Sequence, residues 1–269
     1  MPLTLTHNRL QQLIEEPFPA LSPHELRREG AVFFIGGNLP VSETLETMYE
    51  SYCQESTGLF HVTFAALGDL ERNLELVRQI KKNFSVRLMG RITCEVTASI
   101  VERAYLAGLD LLDIPHVFRD GAGDPGGLGH NDRQALFTHA VNIFPRWSVV
   151  SSLNLGEATA EKLRHTIDSL LASGVVPLPG MIKGAAAVKE DEALAAFAYL
   201  VAVWQGHEVQ IKALLPLVRL ITPLDSSEPA GFIRGVISRI QDRHQLAASD
   251  LRRHLRTSGA EASFESAGL

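Results

Sequence analysis

A set of polar residues in this 269-residue chain comes at the ends of short apolar, β-rich runs or in the turns just after them: Asn38, Asp69, Cys94, Glu95, His116, Asn154, Glu157 and Lys183. Glu95 and His116 are of the types that move protons. Glu95 either stands over a ligand or caps the helix that opens at Thr97, and His116 is either catalytic or a structural hydrogen-bonding group. Lys183, in PGMIKGAAA, forms a Schiff base with a carbonyl if burial depresses its pKa, and is otherwise a solvated lysine. Asn38 and Asn154 offer amide hydrogen bonds to a ligand, although Asn38 in GGN also suits a plain turn. Gly68-Asp69 reads either as a ligand-facing turn or as a helix N-cap with its carboxylate on the macrodipole. Cys94 is a small buried hydrophobe or a thiol. These residues are far apart in sequence, so they act together only if the fold gathers strand ends at one rim.

The stretch FRDGAGDPGGLGHND after His116 is a glycine-rich loop, and long loops in compact domains are usually functional or disordered. His116, Asp120, Asp124, His130 and Asp132 are ligand types close in sequence, but no HxH or HxxxH pair occurs, and no metal is expected. A phosphate site lacks both GxxxxGK[ST] and a GxGxxG after a strand.

The elements that position these residues are read from periodicity. Leu59–Leu67 is too short and β-rich for a buried helix, and Leu70, Leu74, Val77 and Ile80 then recur at helical spacing. Val86–Ile92 and Leu111–Ile114 are further strands, with a helix between them that opens at Thr97 and ends at Gly108. Strands alternating with single helices are parallel βαβ units. The unit occurs six times, with strands near 31–36, 59–66, 86–93, 110–115, 147–154 and 175–182. Pro177 and Pro179 place the last of these at a sheet edge. The expected fold is α/β, a partial (β/α)6 TIM-like barrel. It comprises N-terminal leader helices over 1–30 (Asn8–Glu16 and Ser22–Glu29), the barrel core over 31–204, C-terminal helices over 205–256 (Ile211–Leu220, Gly231–Ile240 and Ala247–Leu255), and a disordered tail over 257–269. In such a barrel the sites lie at the C-terminal ends of the strands.

Composition removes several function classes. A net charge of -6 argues against nucleic acid or an anionic membrane surface as partner. Two cysteines supply neither a disulfide framework nor a thiolate metal site. No apolar run is long enough to span a bilayer, and MPLTLTHNRL lacks a signal pattern, so a cytoplasmic location is expected.

Three segments carry a family resemblance. LFHVTFAALGDLERNLELVRQIKK, AGLDLLDIPHVF and SVVSSLNLGEATAEKLRHTIDSLLASGVVPLPG resemble the second, fourth, and fifth-to-sixth strand regions of the radical SAM superfamily, in its biotin-synthase-like branch. The resemblance covers roughly residues 31–182. It implies S-adenosylmethionine as a ligand, with Gly68 and Asp69 at the cofactor's methionine amino group and Glu157 as the acid of the Gly-Glu turn. The family's CxxxCxxC loop after the first strand is missing, because GGNLPVSETLETMYESYCQ holds no cysteine before Cys53, so no [4Fe–4S] cluster is expected. The resulting reading is a cluster-less barrel that binds a small molecule or supports a partner enzyme. Two alternatives stand beside it: a lyase or aldolase using Lys183 with Glu95 or His116, and a non-catalytic scaffold whose C-terminal helices form a homo-oligomer. On the first reading Asn38, Asp69, Glu95, His116, Asn154 and Lys183 converge on one pocket.

Overall fold

A computed structural model of the chain describes residues 3–20, 22, 24–54, 57–116, 118, 130–183, 187–226, 250, 251 and 253. In chain order the elements are β1 (Leu3–Leu5), α1 (His7–Glu15), β2 (Leu26–Glu29), β3 (Val32–Gly36), α2 (Val41–Gln54), β4 (Leu59–Phe64), α3 (Leu70–Asn83), β5 (Arg87–Ile92) and α4 (Ala98–Ala107). There follow β6 (Leu111–Asp113), α5 (His130–Ile143), β7 (Val149–Asn154), α6 (Ala160–Ala172), β8 (Val176–Gly180), α7 (Glu190–Gly206), α8 (Leu215–Ile221) and β9 (Leu224–Ser226). Strands β3 to β8 lie side by side in sequence order, all parallel, as six successive crossover units require. This is an α/β fold of the partial TIM-barrel kind. Strand β8, with its two prolines, is at the end of the order.

The sequence reading needs two corrections: within the stretches 1–30 and 205–256, read as helical, Leu3–Leu5 and Leu224–Ser226 pair antiparallel as a separate two-stranded sheet, and the other edge of the main sheet also differs. Ser22–Glu29 was expected to be helical, but Leu26–Glu29 is strand β2, paired antiparallel with β3 from Leu26↔Ile35 to Glu29↔Val32. A bare β3 edge would leave a row of backbone donors and acceptors unpaired, and LRRE satisfies them more fully than a short isolated helix would. Residues 231–240 and 257–269 lie outside the described residues, and of 247–255 only Asp250, Leu251 and Arg253 are described, all helical.

The N-terminal segment links the end of β8 to β3. Phe18 bridges Ile182: its N–H donates to the Met181 carbonyl (2.9 Å), and the Lys183 N–H donates to the Phe18 carbonyl (2.7 Å). The Phe18 ring lies 5.5 Å from that of Phe34 on β3, with the Arg27 guanidinium stacked over both at 5.3 and 5.6 Å. Phe18 thus connects the end of β8 with the inner face of β3, with a cation stacked on the two aromatic rings.

Local signals set the helix ends. The Thr97 hydroxyl accepts from the Ile100 N–H, and Gly108 ends α4 at φ +128, where a Cβ would stand 2.5 Å from Lys81 Cγ. Below the sheet, Asp110 joins several pieces. Its carboxylate accepts from Lys81 Nζ (2.9 Å), from the Leu88 N–H (3.0 Å) and from Arg253 Nη2 (2.8 Å), which ties the C-terminal helical residues to the barrel.

Candidate functional site

Paired residues of parallel strands project to the same face, and alternate residues to opposite faces. The register therefore sorts the sheet. Phe33, Phe60, Val62, Leu88 and Leu112 share the outer face, where Phe60 packs edge-on against Phe84 at the end of α3 (5.2 Å). Phe34, His61, Thr63, Met89, Arg91, Asp113, Ser152 and Asn154 share the inner face. A barrel interior is normally filled by branched aliphatic side chains. Here the row nearest the C-terminal strand ends is polar instead.

Arg91 is the centre of that row. Its Nη1 donates to Asp113 Oδ2 (3.2 Å) and to Ser152 Oγ (3.0 Å). Asp113 in turn accepts from the Ser152 N–H (2.9 Å) and the Ser152 hydroxyl (2.9 Å). Asp113 is 1 % exposed, and burial pushes its carboxyl above the usual carboxylate range, opposed by Arg91 and by the two Ser152 donors. The arrangement fixes one nitrogen of the guanidinium from behind. Arg91 keeps 20 % of its side chain exposed, and among the described residues Nε and Nη2 donate no hydrogen bond.

His61 stands on the neighbouring strand, two residues deeper than Thr63, the partner of Arg91. Two strand residues correspond to about 6–7 Å. Its ring lies against Phe34 (centroids 5.3 Å apart), the residue is 1 % exposed, and neither ring nitrogen has a hydrogen-bond partner among the described residues. Burial, then the nearby Arg91 charge, pull its pKa down to about 3, with only a weak contact to its own backbone acting the other way. His61 is therefore a neutral imidazole with one donor and one acceptor unspent.

The strand-end residues picked from the sequence are placed more diffusely. Asn154 ends β7 on the inner face, accepting from the Ile182 N–H (3.3 Å) and donating to Glu157 (3.2 Å). Asn38 approaches His24 Nε2 at 3.4 Å, and its Oδ1 is buried without a partner among the described residues. Asp69 stands before α3 and pairs with Arg72 (2.6 Å), while Gly68 is exposed. The His116 N–H donates to the Ser152 carbonyl (2.9 Å), and its ring lies 4.7 Å from that of Phe118. Glu95, Glu157 and Lys183 are exposed, and Cys94 is buried with its thiol pushed up by burial. Asn154 and Glu157 are the two of this set joined by a hydrogen bond among the described residues. Asp120 and Asp124 lie outside the described residues, among which no three His, Cys, Asp or Glu side chains group as a metal site.

His61, Arg91, Asp113 and Ser152 lie inside strands rather than after them, where a search of strand ends does not look. The signal was present. A strand buried on both faces reads as a continuous apolar run, so His in LFHVTF, Arg in RLMGRI and Asp in LLD are the exceptions that mark an inner polar row.

No family model matches this chain. No curated protein matches it either. Among solved structures it is similar to a dihydropteroate synthase from Coxiella burnetii, solved in complex with pteroic acid, at 16% identity and a TM-score of 0.36 over 66% of this chain and 85% of that one. At that level the likeness carries no argument about what this chain binds. The radical SAM resemblance is overturned: no family model, of that superfamily or another, matches the chain, and the solved structure it is similar to is a dihydropteroate synthase. Its physical basis was an order of strands and helices that α/β barrels share, together with short Gly-acid turns. In the structure Gly68-Asp69 is a helix entry with Asp69 paired to Arg72, and Glu157 is an exposed partner of Asn154. With the family goes the ground for assigning Gly68, Asp69 and Glu157 to S-adenosylmethionine.

Proposed function

We propose that this protein binds a small anionic molecule on the inner face of its barrel, with Arg91 as the anion-holding residue. The observation that carries the reading is the guanidinium's one-sided fixation. Asp113 and Ser152 hold Nη1 from a buried position, while Nε and Nη2 have no partner among the described residues. A buried ion pair is weak as a source of stability, because desolvating both charges offsets most of their attraction. Its use lies in holding a cation in place before the ligand arrives. Asn154 stands at the rim of the same face, its amide engaged by Ile182 and Glu157. Lys183 is exposed, so it has not been desolvated as an amine nucleophile requires, and it is left out of this site.

Thermal unfolding of the wild type and Arg91→Gln with a panel of organic carboxylates and phosphate esters tests the reading. A ligand at a hundred times its Kd adds about 2.7 kcal/mol to stability, which for a chain of this size is a rise in Tm of several degrees. At least one anion is expected to raise the wild-type Tm in this way and to leave Arg91→Gln unmoved. Equal shifts in the two proteins would remove Arg91 from the site.

A further inference from the structure

We infer that an anion binds at Arg91 together with one proton, which Asp113 takes up. The inference rests on the anion-binding reading above and adds how that site is regulated. The anion touches only the guanidinium, whose side chain is 20 % exposed. Asp113 lies behind it and responds without being touched.

The reason is charge. Asp113 stands on β6, 1 % exposed, with Arg91 Nη1 at 3.2 Å. Burial favours its neutral form, and the guanidinium is the largest of the effects that oppose burial, ahead of the Ser152 N–H and hydroxyl. As they stand, guanidinium and carboxylate cancel. An anion on the other edge of the guanidinium leaves two negative groups sharing one cation. At about 7 Å and the effective dielectric of a protein surface, their repulsion amounts to about fiftyfold in the anion's Kd. One proton on Asp113 removes it, and the site again carries no net charge.

The hydrogen bonds allow the change. Ser152 Oγ donates to Asp113 Oδ2 (2.9 Å) and accepts from Arg91 Nη1 (3.0 Å). With Oδ2 protonated, its O–H donates back to Oγ, whose two lone pairs accept it and Arg91 together, while Oδ1 keeps the Ser152 N–H (2.9 Å). Ser152 thus anchors Arg91 in both states. The other groups around the pair are less suited to take the proton. His61 on β4 is buried, and burial, then Arg91, pull its pKa down to about 3. Arg133 on α5 is a cation that donates to the Pro115 carbonyl (2.7 Å). At the rim, Glu95, Glu157 and Lys183 are exposed and His116 is half-buried.

Benzoate and benzenesulfonate stay ionised from about pH 5.5 to 8.5, so their own titration adds nothing. Calorimetric Kd values for both on the full chain over that range, with proton uptake read by pH-stat in unbuffered solution, test the coupling. The Kd values should rise with pH, by up to tenfold per unit and about fiftyfold in all, with up to one proton taken up per anion. Asp113→Asn, which resembles the protonated carboxyl, should bind at the top of the range as tightly as the wild type at the bottom, without proton uptake. His61→Leu and His116→Gln should keep the wild-type coupling. If Asp113→Asn does not fold, Ser152→Ala takes its place. It removes a donor to the carboxylate and should move the rise in Kd to higher pH, and an unmoved curve would overturn the inference. Anion binding with a Kd independent of pH and no proton uptake would overturn it and leave the anion-binding reading standing, as would coupling that survives in Asp113→Asn. If neither anion binds the wild type at any pH, the inference and the reading both fall.

Discussion

Replacing His61 with leucine should change how the stability of the fold depends on pH. In the folded chain the imidazole titrates at about 3, against an ordinary value of 6.5 that applies once the chain unfolds. Above pH 6.5 neither state carries the charge, and the folded state is at its full stability. Below it, the unfolded chain takes up a proton that the folded chain refuses, so stability falls by about 1.4 kcal/mol per pH unit until the folded value is reached. From pH 7 to pH 5 this sums to about 2 kcal/mol. Asp113 works in the opposite sense. Its folded carboxyl is raised, so its contribution is present below the unfolded value and is lost as pH rises through the folded one, but both proteins carry it and it cancels in the comparison. Urea unfolding of the wild type and His61→Leu at pH 7, 6 and 5 reads the difference directly. The wild type should lose about 2 kcal/mol more than the variant over that range. At pH 7 the variant should be neutral or slightly more stable, because it replaces a buried imidazole with no partner by an apolar group. Identical pH dependence in the two proteins would mean that His61 is protonated or partnered in the fold, and the account of the inner face would fail.

Other perturbations probe the rest of the architecture. Asp110→Ala removes the common acceptor of Lys81, Arg253 and the Leu88 N–H, leaving Lys81 and Arg253 with the half-exposed Asp250 as their ionic partner and the Leu88 N–H without its side-chain acceptor, and should cost about 2–3 kcal/mol in denaturant unfolding. A cost below about 1 kcal/mol would show that the C-terminal helical residues are not held there. Gly108→Ala places a side chain at φ +128 and against Lys81, and should lower stability by about 1–3 kcal/mol, measurable as a fall in Tm. Lys183→Ala alters an exposed side chain and should leave both Tm and anion binding unchanged; lost binding would return the lysine to the site.

The sequence by itself determined the six parallel strands, their crossover helices and the caps at Thr97 and Gly108. These depend on local chemistry: β-branched runs, helical spacing, a hydroxyl at an N-cap and a residue free to take positive φ. It also placed β8 at the edge, because Pro177 and Pro179 cannot donate to a ladder on both sides. The tertiary structure alone decided three things. Residues 26–29 became a strand because the β3 edge needed a backbone partner, a demand made by a segment that follows them in the chain. Phe18 came to pair with Ile182, just past β8, and to stack with Phe34 and Arg27, because the fold brings those residues, distant in the chain, to one place. Finally, Arg91, Asp113, Ser152 and His61 became one constellation. In a strand buried on both faces hydrophobicity does not alternate, so the pattern along the chain leaves open which residues look inward. Only the register between neighbouring strands puts a histidine, an arginine, an aspartate and a serine on the same side of the sheet, where the sequence reading had placed the chemistry in the turns beyond.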